Sequence, residues 1–187
     1  MLDNKVHELL MAEEHLVKGC VDNNVVSQKR LYDLYSKKMM GVCLRYSGNY
    51  DEAQDILQEG FIKVFKKINT FKGSGSLEGW IRKIIVNTAL ENHRRSNVLR
   101  LSTDIQDVEP FLETNENIIE SLAAKELLNI IQRLPEGYRV IFNLYAVEGY
   151  SHKEIAEQLN ISESTSKSQY SRARILLQKM IKTEFVI

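Results

Sequence analysis

Proline and glycine are scarce in this chain, two and nine among 187 residues. A strand-and-turn architecture needs more punctuation than that, so long helices are expected. Cysteine is nearly absent. Cys20 and Cys43 lie far apart with no C-x-x-C, and His7, His15, His93 and His152 show no ligand spacing such as H-E-x-x-H. This excludes a disulfide framework and the common zinc patterns, and fits a reducing cytosol. No apolar run is long enough for a signal peptide or membrane span, so a cytoplasmic protein without membrane insertion is expected. A nucleophile–base pair, a phosphate loop and a metal cluster are all missing. The expectation is therefore no catalytic residue, no metal, no cofactor and no enzyme. Net charge is missing too, since 25 basic and 25 acidic side chains cancel. Taken globally, that argues against binding nucleic acid, which needs clustered Lys and Arg.

Locally the charge is strongly sorted. Between Phe61 and Arg100 stand Lys63, Lys66, Lys67, Lys72, Arg82, Lys83, Arg94, Arg95 and Arg100, against Glu78 and Glu91 only. From Lys167 to Lys182 the charges are Lys167, Arg172, Arg174, Lys179 and Lys182, with no acid. The compensating acids gather in Asp51 to Glu59 and Asp104 to Glu116. Two basic zones parted by acidic ones suggest two anionic contacts and at least one basic partner. For any single run, solvated helix faces are the better explanation.

Helical periodicity runs through most of the chain. Apolar stripes predict helices over about Val6 to Cys20, Val25 to Tyr46, Asp51 to Asn69 and Leu77 to Arg95. Ser47-Gly48-Asn49 breaks the second from the third, and Lys72-Gly73-Ser74-Gly75-Ser76 reads as a loop. From about Ser96 to Asn117 the periodicity fades and acids accumulate, as in a tether. Helices are again predicted over about Ile118 to Arg133, Pro135 to Val147, Ser151 to Leu159 and Ser162 to Ile181. The fold expected is all-α: two small helical domains, 1–97 and 118–187, joined by an acidic linker, 98–117.

The last two helices carry the most specific local signal. Ser151-His152-Lys153-Glu154 has the pattern of a capping box. Ile155, Ala156 and Leu159 point inward, and the small Ala156 lets a second helix cross closely. Asn160 suits a left-handed reversal, Ile161 plugs the turn, and Ser162 caps the final helix. This is the spacing of a helix-turn-helix. Its second helix would present Ser162, Ser164, Thr165, Lys167 and Ser168 to base edges and phosphates, with Arg172 and Arg174 suited to phosphates further along.

These residues also resemble a known family. Leu134-Pro135-Glu136-x-Tyr138-Arg139-x-x-Phe142, Glu148-Gly149-Tyr150-Ser151-x-x-Glu154-Ile155-Ala156, Ile161-Ser162-x-x-Thr165-x-Lys167-Ser168 and Ser171-Arg172-Ala173-Arg174 look like region four of the extracytoplasmic-function sigma factors. In the first half, Asp51-Glu52-Ala53-x-Asp55-x-x-Gln58-Glu59-x-Phe61-x-x-Val64-Phe65 resembles the polymerase-binding helix of that family. Gly79-Trp80-Ile81-x-x-Ile84-x-x-Asn87-x-Ala89, ending in Arg94-Arg95, resembles its promoter-melting and −10-reading segment. The likeness spans about Leu16 to Ile181. Two positions depart from the family's pattern. Ser166 stands where an apolar residue commonly anchors the recognition helix, and Gln169 stands where a basic residue is frequent.

The resemblance implies a factor that binds core RNA polymerase and directs promoter-specific initiation through −10 and −35 elements. Asp51, Asp55, Gln58 and Glu59 would dock on the clamp of the largest subunit through charge-assisted hydrogen bonds. Phe71, Lys72, Ser74 and Ser76 would border a captured base of the −10 element. Lys83, Asn87, Arg94 and Arg95 would hold its neighbours, Asn87 by a base edge and the cations by phosphates. Trp80, spaced with Ile81 and Ile84, belongs to the core rather than to a stacking wedge. The helix with Tyr138, Phe142 and Tyr145 would contribute to contact with the flap of the second-largest subunit, and the linker would thread the polymerase cleft. A separate anti-sigma factor is a further partner that the resemblance allows. Two other readings stay open at this point: a stand-alone helix-turn-helix regulator, and a helical adaptor with no DNA role.

Overall fold

A computed structural model of the chain describes residues 2–100 and 122–184. Four helices build a first lobe: α1 (Leu2–Val21), α2 (Val25–Tyr46), α3 (Tyr50–Lys67) and α4 (Leu77–Arg100), with a 3-10 turn at Ile68–Thr70. The Ser47-Gly48-Asn49 break is a reciprocal cap. Asn49 Oδ1 accepts from the Glu52 N–H at 2.8 Å, and the Glu52 carboxylate accepts from the Gly48 N–H at 2.6 Å. Asp51 and Glu52 occupy the first turn of α3, and Lys66 and Lys67 its last, as the helix dipole favours.

The lobe closes around Leu31, Met39 and Leu44 of α2, Ile56, Phe61 and Val64 of α3, and Leu77, Ile81 and Ile85 of α4. Each fully buried Leu or Ile stabilises by about 1.5–3 kcal/mol, so apolar burial dominates this packing. Helices α3 and α4 approach closely at Gly60, where an added Cβ would run into Ile85 Cδ1. Trp80 is half-buried against this core and lies 5.6 Å, ring to ring, from Phe71.

The second lobe comprises α5 (Leu122–Gln132), α6 (Glu136–Phe142), α7 (His152–Leu159) and α8 (Glu163–Glu184). The apolar pattern predicts one α-helix from Pro135 to Val147. Instead the backbone widens into a π-helical turn at Asn143–Val147, with the Glu148 N–H donating to Asn143 O at 2.9 Å. Similarly, α4 continues past Arg95, where its apolar stripe ends, to Arg100. Residues 101–121, which hold the acids of the expected linker, lie outside the described residues.

Ile130, Leu134, Ala173 and Leu177 form a small core of the second lobe alone. Leu128, Val140, Ile141, Leu144 and Ile155 belong instead to the cluster that begins in the first lobe. The two lobes are therefore packed against one another along α2, α5 and α6. Among the described residues there is no strand, and no helix is long and apolar enough to cross a membrane.

Candidate functional site

The outer side of α3 is amphipathic, and the structure divides its polar residues into two groups. Asp51, Asp55 and Gln58 are exposed. Glu59 turns toward α4 instead, accepting from Lys63 at 2.9 Å and from Arg95 at 3.4 Å. The Lys63 bond, with Arg95 adding to it, holds the Glu59 carboxyl below the usual carboxylate range. Burial pulls the Lys63 ammonium down, but its bonds to Glu91 and Glu59 outweigh this and raise it. Beside the exposed group runs a groove of about 570 Å³ whose lining includes Tyr32, Gln54, Leu57, Gln58, Ile62 and Phe65. The sequence pattern did not single out Tyr32, Gln54 or Ile62. Ile62, 48% exposed on an otherwise polar face, is the signal that could have found this groove.

The loop before α4 exposes Lys72, Gly73, Ser74, Gly75 and Ser76. Gly73 and Gly75 have φ of 71° and 93°, a left-handed backbone that keeps the loop tight with no side chain over it. The Ser76 hydroxyl accepts from the Gly79 N–H at 3.1 Å and so caps α4. Phe71 is half-buried against Trp80 and forms one wall of the loop. On α4 itself Lys83, Asn87, Arg94 and Arg95 are all exposed. Asn87 and Arg94 share a crevice of about 300 Å³ with Lys63 and Lys67 of α3 and, from α7 of the other lobe, Glu157 and Gln158.

The capping box of α7 is fully formed. The Ser151 N–H donates to Glu154 Oε2 at 2.8 Å, and the Glu154 N–H donates to Ser151 Oγ at 3.2 Å. The Ser151 hydroxyl, which also donates to Glu154 Oε2 at 2.7 Å, and then the Ser151 N–H hold the Glu154 carboxyl below its ordinary range. Asn160 sits in the left-handed region, φ 53° and ψ 49°, and reverses the chain. Ser162 then caps α8 by accepting from the Thr165 N–H at 3.0 Å. Its hydroxyl also bonds those of Ser164 and Thr165, at 2.8 and 2.7 Å. Ser164, Lys167, Ser168, Arg172 and Arg174 are exposed along α8, and Thr165 is half-buried. Lys167 reaches back to Glu163 at 2.6 Å.

Both departures from the family pattern have local explanations. Ser166 is fully buried and bonded to His152 Nδ1 at 3.0 Å, so the apolar anchor is replaced by a satisfied polar one. Gln169 is half-buried, with its Oε1 only 3.4 Å from where a Cβ on Gly137 would stand. It faces α6 more than it faces outward.

A polar seam between the lobes was invisible in the sequence. Glu148, whose side chain is 7% exposed, accepts from Arg82 Nε at 2.7 Å and Nη2 at 2.8 Å, and from Arg45 Nη2 at 3.3 Å. Gln132 Nε2 donates to Leu44 O at 2.9 Å, and Asn143 Nδ2 donates to Arg45 O at 2.7 Å. Both carbonyls belong to the last turn of α2, where a helix leaves its acceptors unmatched. His93 of α4 meets Glu136 of α6 at 2.6 Å. Around this seam Arg45 Nε, Tyr46 OH and Ser47 Oγ are buried without a hydrogen-bond partner among the described residues. Beside Tyr46, burial pushes the Cys43 thiol up to about 12, which leaves it protonated and unreactive.

Against known proteins, residues 31–98 match the family described as Sigma-70 region 2, and residues 124–177 match Sigma-70, region 4. The chain is 30% identical over 186 residues to the ECF RNA polymerase sigma-E factor of Haemophilus influenzae, covering 91% of this chain and 98% of that protein. It is 30% identical over 169 residues to the RNA polymerase sigma-H factor of Pseudomonas aeruginosa, covering 82% and 87% respectively. In fold it is similar to the sigma factor RpoE of Bartonella quintana, solved in complex with the anti-sigma factor NepR. That likeness has a TM-score of 0.56 at 22% identity, over 83% of this chain and 97% of the other.

Proposed function

The chain belongs to the extracytoplasmic-function sigma factors of the sigma-70 family, and on that premise we propose how its surfaces divide the work of promoter-specific initiation by RNA polymerase. The exposed Asp51, Asp55 and Gln58 on α3, with Glu59 at their edge, dock on the basic clamp of the largest polymerase subunit. The neighbouring groove receives an apolar side chain from the same partner. Carboxylates and amides beside an apolar floor suit a basic helical surface, which supplies both charge and burial.

The Phe71 to Ser76 loop and the α4 face read the −10 element. Capturing an unstacked base costs a few kcal/mol per step, and a loop free of bulky side chains lets backbone and hydroxyl groups close around it. Asn87 reads a base edge, while Lys72, Lys83, Arg94 and Arg95 hold phosphates. Helix α8 reads the −35 element with Ser164, Thr165, Lys167 and Ser168, and Arg172 and Arg174 hold its backbone. Ser162 and Ser76 act mainly as caps that fix the reading elements. Helix α6 and its π-turn meet the flap of the second-largest subunit. An anti-sigma factor, the kind of partner that the Bartonella protein carries, regulates access to these faces.

The observation that carries this division is the presence, in one chain, of two exposed cation-bearing faces on α4 and α8 and an exposed acidic face on α3. A stand-alone helix-turn-helix regulator has no use for residues 31–98. The labels −10 and −35 lie 25 base pairs apart, roughly 85 Å at 3.4 Å per pair. A folded chain of this length has a diameter on the order of 40 Å. The packed lobes must therefore part when both elements are held, and polymerase supplies the frame.

Reconstitution with core RNA polymerase, together with mapping of transcript 5′ ends, tests the whole division. A restricted set of start sites sharing −10 and −35 motifs is expected. Failure to associate with core polymerase, or start sites with no common motif, would refute it.

A further inference from the structure

Ser166 lies in the first turns of α8, on the side that faces α7, with no exposed surface. Two crossing helices commonly meet there over an apolar side chain, which tolerates sliding. Here the contact is a directional hydrogen bond of 3.0 Å to His152 Nδ1. His152 opens α7, and its ring is fixed from the other side. It stacks on Tyr145 of the π-turn, with centroids 4.2 Å apart and planes 11° from parallel. Tyr145 also meets Tyr170 at 4.5 Å, four residues beyond Ser166 on the same side of α8. Tyr170 in turn stacks on Phe142 at 6.2 Å and lies 6.0 Å beneath the Arg174 guanidinium. Helix α8 is thus gripped at two successive turns by one aromatic tile, made of His152 and Tyr145.

We propose that His152 and Ser166 are a positioning pair that sets the rotation of α8 about its own axis, and with it which bases of the −35 element this factor prefers. Resting as it does on α8 being the −35 helix, the pair acts through the residues that flank Ser166. Ser164, Thr165, Lys167 and Ser168 sit within two positions of it and turn with it. Side-chain tips ride roughly 6 Å from a helix axis, so a rotation of about 20° carries them roughly 2 Å. That exceeds the tolerance of a hydrogen bond to a base edge, whose donor–acceptor distance spans only about 0.5 Å. A serine hydroxyl can either donate or accept, so the pair forms with either neutral tautomer of the imidazole.

The test uses core polymerase reconstituted with the full chain and a promoter library randomised at −35, with −10 held constant. Variants are Ser166→Ala, His152→Leu and His152→Asn, since asparagine keeps an amide atom close to the place of Nδ1. The wild type should rank the −35 bases. Ser166→Ala and His152→Leu should each change the preference for the favoured bases at least fivefold while leaving −10 discrimination unchanged, and His152→Asn should keep the wild-type ranking. Thermal melting of each variant fixes the temperature at which all are folded. If Ser166→Ala does not fold, His152→Leu at the edge of the tile decides alone. Base rankings that stay within twofold of wild type in the folded variants would overturn the pair. So would a uniform loss of activity with the ranking intact. A wild-type factor indifferent to −35 sequence would instead overturn the reading of α8 itself.

Discussion

The two faces that would read DNA are held in opposite circumstances. On α8, Ser164, Lys167, Ser168 and Arg172 are exposed, Lys167 is paired only with Glu163 of its own helix among the described residues, and the helix is fixed from behind by α7. On α4, Asn87 and Arg94 share a crevice with Glu157 and Gln158 of α7, and Arg95 is engaged by Glu59. The face proposed for the −35 element is exposed, whereas the one proposed for the −10 element adjoins the other lobe's own acid and amide. The Glu157 carboxylate lines the same crevice as Lys67 and Arg94, the kind of cations that would hold a phosphate.

The most forceful way to break this asymmetry is Glu148→Ala. It strands Arg82 and Arg45 at the seam and removes three charge-assisted bonds. Arg82 remains about one-third exposed and can recover water, so a loss of about 2–3 kcal/mol is expected, below that of a fully buried pair. Calorimetry should show the melting temperature falling by about 5–10 °C, and small-angle scattering should show the lobes further apart. Melting within 1 °C of wild type would mean that Glu148 holds nothing together.

Asn87→Ala probes the −10 face alone. Losing one base-edge contact should lower discrimination among −10 variants about tenfold, the lower end of the range for a bidentate pair. Initiation from promoters that differ only at −35 should rank as before.

Arg172→Gln with Arg174→Gln probes the −35 face in the same spirit. Two phosphate contacts fewer should reduce the slope of log affinity against log salt by about 1.8 while leaving base preference intact. An unchanged slope would remove these two arginines from the phosphate contacts. Arg174 also lies over Tyr170, so a changed base ranking in this variant would point to the aromatic tile instead.

The smallest effect concerns acid. Glu59 has a folded-state pKa below its unfolded value because Lys63 bonds it. Its contribution to stability is therefore present above the unfolded value, near 4.5, and is lost as pH falls through the lower folded value. With both partners partly solvated, the effect should be under about 1 kcal/mol. Denaturant midpoints measured from pH 6 down to pH 3 should fall less steeply in Glu59→Gln than in wild type.

Features legible in the sequence and features hidden from it are separated by one physical division. Ser151, Glu154, Asn160 and Ser162 act within four residues of their partners, so the capping box, the left-handed reversal and the helix-turn-helix could be read directly. The helices that carry Asp51, Asp55, Lys83 and Asn87 came from apolar spacing in the same way. The Glu148 seam joins residues 66 and 103 positions apart, and the Gln132 and Asn143 bonds span 88 and 98. Nothing periodic announces such pairs, and Glu148 in Glu148-Gly149-Tyr150 reads as a solvated turn. Ser166 was legible as a departure but not as a contact. A polar residue at an apolar position signals its partner only once the fold brings His152 beside it.

The unmatched atoms beside α2's final turn have a thermodynamic consequence. When the lobes separate, water can take over the acceptors that Gln132 and Asn143 now serve. It can also reach Tyr46 OH, Ser47 Oγ and Arg45 Nε, which find no hydrogen-bond partner among the described residues. Hydration thus returns much of the polar attraction given up at that turn, and, beyond the Glu148 bonds, the resistance to opening comes chiefly from wetting Leu44, Leu128, Ile141 and their neighbours. Resistance of that kind weakens on cooling, so the extended form of the factor should become easier to reach toward low temperature.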